Sequence, residues 1–245
     1  MAERFYCPNA TPDSKELTLE GDEARHLSRV RRVKEGELVE LFNGEGFATS
    51  AEVLSIHKDR VQLRAIGSPL PDRIATISLT LATAVPKGDR FDWLIEKATE
   101  LGVARLVPIV TERSVVDPRT GKLDRLRRTV IEASKQCGRN RLMTIEPTTE
   151  WREFLHSRPA NPVLFDPSGA LPSQILSTSE NGKASVLIGP EGGFSDEEVT
   201  AARAEGWTIA SLGATLLRVE TAGIVACARM LAMADLQRAG ERNER

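Results

Sequence analysis

Short stretches in which apolar and polar residues alternate dominate the first 70 positions of the chain. Three of them have the two-residue period of half-buried β-strands: residues 37–42, 49–56 and 60–66. The pair Asn43-Gly44 after the first predicts a tight turn, and a helix is predicted over residues 21–30. Short strands at this spacing favour a small β-barrel, so residues 1–70 are predicted to form one domain.

Beyond a proline-rich segment at residues 68–73, the apolar positions fall into a different pattern. Short apolar runs predict buried strands at residues 77–82, 104–110, 162–165, 184–188 and 208–212. Helical spacing predicts helices at about residues 89–102, 121–137, 195–206 and 220–238. Strands that alternate with helices are typical of an α/β domain with a mainly parallel sheet. This second domain is predicted to span residues 74–240.

Composition narrows the functional classes. The chain of 245 residues carries a formal net charge of −2, so a surface for nucleic acid has to be local. Its three cysteines are far apart, as are its three histidines, which argues against a disulfide framework and predicts no metal site. The first residues lack the apolar core of a signal peptide, and no apolar run reaches the ~20 residues of a membrane span. We therefore expect a cytoplasmic protein without a membrane partner.

Two glycine-containing segments stand where chemistry is expected. Residues 189–193 contain three glycines, follow a predicted strand and precede a helix that opens on Ser195. In the second segment, Gly213 follows a strand, and Arg218 and Glu220 lie at the start of the last helix. Glycine allows sharp turns and close approach of the backbone to a ligand. Each segment taken alone also fits a simpler interpretation, a tight turn in the first and a helix-start carboxylate beside a surface arginine in the second.

Together the two segments resemble the C-terminal motifs of SPOUT methyltransferases: GPEGG at 189–193, SLG at 211–213 and LRVETA at 217–222. Other motifs extend the resemblance over most of the chain: HLSRVRRVKEGE at 26–37, FNG at 42–44, VPKGDRFDWLIEKATELGV at 85–103, ERSV at 112–115 and EASKQCGR at 132–139. With these motifs the chain is similar to the RsmE family, which methylates N3 of a uridine in 16S ribosomal RNA.

The resemblance implies a fold and a cofactor. We expect an N-terminal PUA-like β-barrel, then a C-terminal α/β SPOUT domain whose chain forms a deep trefoil knot, and a homodimer. It implies S-adenosylmethionine as cofactor, held by three loops. The expected cofactor-binding residues are Leu164, Phe165, Asp166, Pro167, Ile188, Gly189, Pro190, Glu191, Gly192, Gly193, Ser211, Leu212, Gly213, Leu216, Leu217 and Arg218.

The implied reaction restricts the catalytic candidates. Uracil N3 carries a proton and becomes a good nucleophile only when that proton leaves, so the site has to accept the proton or stabilise the uracil anion. Arg218 is the first candidate for the electrostatic role, and Glu191 or Glu220 is the candidate base. For all three, a purely structural role in the cofactor loops stays an open alternative.

The expected partner is 16S ribosomal RNA within the small ribosomal subunit. Between residues 85 and 141, 13 Lys and Arg residues stand against 8 Asp and Glu, and such a local excess suits phosphate contacts. The candidate RNA-binding residues are Arg25, His26, Arg29, Arg31, Arg32, Lys87, Arg113 and Arg139. Two alternatives remain at this point: a SPOUT methyltransferase with another RNA target, and a ribosome-assembly protein that binds RNA without catalysis.

Overall fold

A computed structural model of the chain describes residues 2–116, 123–170 and 182–243, and it divides into two compact units. The first comprises Met1–Ile74 together with Ile131–Leu142, and the second comprises Ala75–Val130 and Met143–Arg245. Residues 131–142 therefore belong with the N-terminal unit although they lie far along the chain. No boundary drawn along the sequence separates the units in this way.

The first unit contains a five-stranded sheet in the order β1-β3-β4-β5-β2. Its strands are β1 (Arg4–Tyr6), β2 (Glu16–Glu20), β3 (Leu38–Phe42), β4 (Ala48–His57) and β5 (Arg60–Ile66). The three central strands are antiparallel, and β1 runs parallel to β3. The three strands predicted from the alternating pattern are present. The short edge strands β1 and β2 were missed, because three to five residues give too little periodicity to recognise.

One helical segment closes the core of this unit. Helix α1 (Gly21–Arg25) continues as a π-helical turn at His26–Val30. Ala24 and Leu27 on its inner side are fully buried among apolar residues of the sheet such as Phe5, Leu19 and Leu63. The apolar faces of the sheet and the helix thus enclose one hydrophobic core, which is what alternating strands and a single amphipathic helix predict.

The second unit is built on a parallel sheet in the order β12-β10-β11-β6-β7-β8, with β9 also paired to β7. Its strands are β6 (Ser78–Ala84), β7 (Arg105–Val110), β8 (Thr144–Ile145), β9 (Thr149–Glu150), β10 (Pro162–Ala170), β11 (Lys183–Ile188) and β12 (Thr208–Ala210). Near-continuous apolar runs in β6, β7 and β11 agree with burial on both faces of the sheet.

Helices cover both faces of this sheet. The helices of this unit are α2 (Arg90–Leu101), α4 (Trp151–His156), α5 (Asp196–Ala204) and α6 (Val219–Asn243), and α3 (Leu123–Cys137) has its first residues in this unit and its last residues in the first one. On one face, Ala82 and Leu187 lie in a core with residues of α4 and α5. On the other face, Gly223 of α6 lies close to Leu94 of α2 and Leu81 of β6. Because Leu81 and Ala82 are consecutive in one strand, they point to opposite faces. The predicted strand and helix order is confirmed, apart from β8, β9 and α4, which were missed.

Three chain segments meet at the carboxyl ends of neighbouring strands β10, β11 and β12. Strand β10 pairs with β12 at Phe165 and again at Ala170, and both points lie opposite Ala210. A Cβ atom on Gly169 would lie 2.4 Å from the carbonyl carbon of Ala210, so only glycine fits there. The chain therefore crosses the end of β12 in close backbone contact, as a threaded loop requires.

Of the described helices, none has the length and apolar character to cross a membrane.

Candidate functional site

A cavity of about 620 Å³ opens in the second unit where β10, β11 and β12 end. Its volume lies in the range of small-molecule and cofactor sites. The lining residues are Arg113, Phe165, Asp166, Pro167, Ser168, Ile188, Gly189, Pro190, Glu191, Gly192, Gly193, Phe194, Asp196, Ser211, Leu212, Gly213, Ala214, Thr215, Leu216, Leu217, Val219 and Ala222. In parallel sheets, ligands bind in the crevice at the carboxyl ends of the strands, so the cavity has the position expected for a site.

The loop after β11 turns tightly and packs on an aromatic floor. The amide of Gly193 donates to the carbonyl of Pro190 at 2.8 Å, and Gly193 has a left-handed φ of 69°. A Cβ on Gly189 would lie 2.9 Å from the ring of Phe194, which is buried against Trp151. Glycine is thus needed at two positions for different reasons, the left-handed backbone conformation at Gly193 and the close contact with Phe194 at Gly189.

A hydrogen-bonded network fixes the same loop to the end of β7. The guanidinium of Arg113 donates from Nη1 to the carbonyl oxygens of Gly192 at 2.9 Å and Phe194 at 3.2 Å. The buried carboxylate of Glu198 accepts the amide of Ser195 on one oxygen and the amide of Glu112 on the other. Ser195 caps α5 in return. Arg113 and Glu198 therefore hold the glycine loop in place from two directions.

The loop after β12 forms the exposed wall of the cavity. The hydroxyl of Ser211 accepts the amide of Gly213 at 3.3 Å, which closes a short turn. Beyond it, Leu216 is 86% exposed and Leu217 is exposed at 37%, an unusual placement for apolar side chains at a site. The carbonyl of Arg218 accepts the amide of Ala222 and begins α6, while its side chain is exposed and outside the cavity lining.

Two carboxylates and one arginine form a charged group beside the cavity. Nη1 of Arg90 lies 3.9 Å from a carboxylate oxygen of Glu191 and 3.9 Å from one of Glu220. Glu191 lines the cavity, whereas Glu220 is buried in the first turn of α6. Oε2 of Glu220 is buried and has no hydrogen-bond partner among the described residues. A buried acceptor of this kind is costly unless a donor reaches it, so Oε2 of Glu220 can accept a further hydrogen bond.

Most residues expected at the cofactor loops line this one cavity. The exceptions are Leu164, which lies in the hydrophobic core with Leu187, and Arg218, whose exposed side chain lies outside the lining. Sequence analysis missed Ser168, Phe194, Asp196, Val219 and Ala222 as lining residues, and Arg90 as the link between the two carboxylates. Two signals in the sequence could have found these residues. The lining residues adjoin the predicted cofactor segments, and Arg90 belongs to the motif at 85–103.

In the first unit, the predicted basic surface is partly neutralised. The guanidinium of Arg25 contacts the carboxylates of Asp22 and Asp59, and these contacts raise its pKa above the ordinary arginine value. Arg31 pairs with Glu3 at 3.1 Å. Arg29 and Arg32 are exposed and pair with no acid in the described part of the chain. The net positive charge of this surface is therefore smaller than its arginine content suggests.

The remaining candidates for RNA contact have dissimilar surroundings. Lys87 is exposed in the turn before α2. Arg113 lines the cavity with its guanidinium on the glycine loop, so its charge faces the site of the second unit. Arg139 is 9% exposed in the first unit, and burial lowers its pKa below the ordinary value.

A group of three possible metal ligands also lies in the first unit, although no metal was predicted. Donor atoms of Glu23, His26 and Glu132 lie within 4.8 Å of one another. The ammonium of Lys135 lies 2.5 Å from Glu23 and 2.8 Å from Glu132, and its side chain is only 8% exposed. A lysine thus already supplies the positive charge that the two carboxylates need.

The chain matches two families, one on each side of residue 70. Residues 74–231 match a family described as RNA methyltransferase domain. Residues 19–66 match a family described as RNA methyltransferase PUA domain. The predicted fold class, a PUA-like N-terminal domain followed by an α/β SPOUT methyltransferase domain, is confirmed.

Individual relatives agree with the family matches over nearly the whole chain. A ribosomal RNA small subunit methyltransferase E from Bacillus subtilis is 30% identical, with 91% of this chain and 92% of the relative covered. The protein of the same name from Synechocystis is 31% identical over 89% of this chain and 73% of the relative. The crystal structure of the Neisseria gonorrhoeae protein of that name, bound to S-adenosyl methionine, superposes with a TM-score of 0.88 at 30% identity and covers 95% of this chain and 98% of that one.

Proposed function

This chain belongs to the family of ribosomal RNA small subunit methyltransferases E, and on that premise we propose that it methylates N3 of a uridine in 16S ribosomal RNA with S-adenosylmethionine as methyl donor. The resemblance seen in the sequence is thereby confirmed at the level of the family. The observation that carries the proposal is the meeting of three loops, two of them glycine-containing, around one cavity.

The residues around the cavity fit S-adenosylmethionine. Its adenosine needs an apolar cleft with backbone hydrogen-bonding groups at close range, and Phe165, Ile188 and Leu212 provide apolar walls between glycine turns. Close backbone approach is possible because Gly189, Gly192 and Gly213 carry no side chain. Asp166 and Glu191 offer carboxylates at the rim for the amino and hydroxyl groups of such a ligand. When bound, the sulfonium supplies an already activated methyl group, so the chemistry requires no metal.

The protein's own task is to manage the proton on uracil N3. Glu191 lines the cavity together with Asp166 and Asp196, and Arg90 lies between Glu191 and the buried Glu220. We assign proton acceptance to Glu191, because it both lines the cavity and lies beside Arg90, and a positioning role to Glu220. Arg218, exposed at the start of α6, is free to reach the oxygens of a uracil that has lost its N3 proton. A flipped uridine then meets an acceptor for its proton and a cation for its charge.

The substrate and the assembly complete the proposal. Arg29 and Arg32 of the first unit are assigned to phosphates of the 16S RNA in the small ribosomal subunit. The exposed Leu216 and Leu217 at the cavity wall are assigned to contact with a second copy of the chain, since a homodimer would cover this apolar surface. The protein is proposed to act in the cytoplasm, where ribosomal subunits are assembled.

The deciding experiment follows the methyl group. Purified protein is incubated with radiolabelled S-adenosylmethionine and small ribosomal subunits from cells that lack the endogenous enzyme, and digested RNA is examined by mass spectrometry. The proposal requires one N3-methyluridine per subunit and no label in subunits from wild-type cells. A methyl group on ribose or on another base would reject the assigned target, and absence of cofactor binding in calorimetry would reject the function.

A further inference from the structure

Two arginines of the first unit that the sequence does not single out, Arg4 and Arg73, lie beside Gly138. A Cβ on Gly138 would lie 3.2 Å from Nη1 of Arg4 and 3.3 Å from Nη1 of Arg73. Two guanidinium groups therefore face the same small space beside the glycine. We call this space, with Arg4, Arg73 and Gly138 around it, the glycine cradle.

Arg4 is held rigidly in the cradle. Its Nη2 donates to Oδ1 of Asn140 at 2.7 Å and to the carbonyl of Arg139 at 3.2 Å, and its guanidinium stacks over the ring of Phe42 at 4.9 Å. Its side chain is only 11% exposed. Nη1 makes no hydrogen bond within the described residues, and Nε is buried without one. Nη1 of this fixed guanidinium is thus left for another acceptor.

Acids in the neighbourhood neutralise the cradle only in part. Glu40 forms an ion pair with Arg4, its carboxylate oxygen 3.6 Å from Nε. Asp72 is taken by Arg141, whose Nε donates to it at 2.7 Å. Arg73 is exposed and forms no ion pair among the described residues. Burial lowers the pKa of Arg4 below the ordinary value, the carboxylate of Glu40 opposes this, and the guanidinium of Arg73 lowers the pKa by a smaller amount. The two arginines with one paired acid therefore leave a net positive charge at the cradle.

From this geometry we infer that the glycine cradle is a phosphate-binding site, in which Arg4 and Arg73 bind one phosphate of the RNA backbone. Guanidinium groups bind phosphate oxygens through charge-assisted hydrogen bonds, and two such groups around one space, the rigid Arg4 and the exposed Arg73, suit a tetrahedral anion. The same anion would relieve the repulsion between the arginines. The inference rests on the proposed function for the identity of the anion as RNA. It adds a contact that differs from the surface around Arg29 and Arg32.

The glycine at the centre of the cradle has a second use in this arrangement. Gly138 ends helix α3 with a left-handed φ of 79°, which glycine adopts without strain. The missing side chain also leaves the space between the two guanidinium groups open. A methyl group there would fill the cradle and crowd both arginines, so substitution is expected to interfere with an anion.

The test measures the affinity of the full chain for a short fluorescein-labelled single-stranded RNA as a function of salt concentration. Arg73→Gln removes one cation from an exposed position without disturbing the core. Affinity should fall roughly fivefold to tenfold, and the slope of log affinity against log salt should become shallower by about 0.7. Arg60→Gln is the matched control, because Arg60 is an exposed arginine of the same unit that Glu20 pairs at 2.9 Å.

A second pair of variants tests the space rather than the charge. Gly138→Ala places a methyl group in the cradle, whereas Gly67→Ala imposes a similar backbone strain at a φ of 73° with nothing within 4 Å of the new atom. Only Gly138→Ala should weaken RNA binding. The inference is overturned if Arg73→Gln keeps the wild-type slope, or if it behaves like Arg60→Gln.

Failure of the cradle and failure of the proposed function are distinguishable. Cofactor affinity, measured by calorimetry on the same variants, should stay at the wild-type value because the cofactor cavity belongs to the second unit. If the wild-type chain does not methylate small subunits, the proposed function is rejected. If Arg73→Gln nevertheless has a shallower salt dependence of RNA binding than the wild type, the phosphate site is kept.

Discussion

The sites of the two units depend on different parts of the chain, loop conformation in the second unit and charged side chains in the first. The cavity of the second unit is formed by loops in which glycines allow tight turns and close contacts, and a few side chains hold those loops in place. The basic surfaces of the first unit are formed by long arginine side chains, and the net charge of each surface depends on which acids pair with those arginines. A site built from loops can be predicted from local sequence, because the turns need glycine at particular positions. The net charge of a surface depends on residues that are distant in sequence, and a linear motif does not reveal them.

The sharpest way to test this contrast is to change a loop glycine. Gly193→Val should abolish binding of S-adenosylmethionine, because valine is strained at a φ of 69° and would distort the turn that lines the cavity. The matched control is Gly206→Val, which has a φ of 79° and equally open space but lies at the end of α5, outside the cavity. Isothermal calorimetry measures both.

Both glycine variants should retain the fold and bind RNA as the wild type does. Loss of cofactor binding in Gly206→Val as well would mean that strain anywhere in this unit is enough, and the loop would lose its special status. Unchanged affinity in Gly193→Val would remove residues 189–193 from the cofactor site.

Arg218 tests whether a charged side chain can also matter in the second unit. Arg218→Ala should lower the single-turnover rate on small ribosomal subunits by about an order of magnitude or more, if the arginine stabilises the uracil anion. Because the side chain lies outside the cavity lining, cofactor affinity should not change. Arg203→Ala, on the exposed face of α5, is the control. Recovery of the rate at higher RNA concentration would show a role in binding instead.

A smaller effect is expected where a side chain supports the backbone. Arg113→Met removes the guanidinium that donates to Gly192 and Phe194, so the loop should loosen and cofactor affinity should fall about tenfold. Arg105→Met is the control, since Arg105 makes only a surface contact with Glu146 at 3.8 Å. If Arg113→Met instead weakens RNA binding at constant cofactor affinity, its original interpretation as an RNA-binding residue holds.

The smallest predicted effect concerns the cysteines. Burial raises the pKa of the thiols of Cys7 and Cys227, so both should react slowly with a disulfide reagent at neutral pH. Cys137 is partly exposed at the end of α3, beside the glycine cradle, and should react first. Cys137→Ser should remove the fast phase of thiol titration and leave the slow ones. A fast phase that survives would mean that a buried thiol becomes accessible.

The sequence predicted much of the fold because its signals were local. Long apolar runs and alternating strands gave β3 to β7 and β11, and the capping box at Ser195 predicted the start of α5. The strands of two or three residues that were missed, such as β1 and β8, owe their existence to pairing with neighbours. The placement of Ile131–Leu142 in the first unit also depends on contacts such as that of Arg4 with Asn140, which no pattern along the chain encodes.

The candidate site divides in the same way. The loop glycines and Ser211 were predicted as cavity residues from motifs, whereas Arg90 and Phe194 needed the structure. Leu164 was expected among the cofactor residues because it adjoins them in sequence, but alternation along β10 turns its side chain into the hydrophobic core. Pairing of Arg25 with Asp59 likewise joins residues 34 positions apart, and so the neutralisation of that surface could not be foreseen.

One carboxylate gives the cofactor loop a particular thermodynamic character. Glu198 accepts the amides of Ser195 and Glu112 at once, and Arg113 next to Glu112 grips the loop. The loop is therefore ordered when the protein folds, before any ligand arrives, and little conformational freedom remains to be lost on binding. Calorimetry should find a small entropic penalty for the cofactor, and the amide of Glu112 should exchange slowly with deuterium in the free protein as well as in the complex.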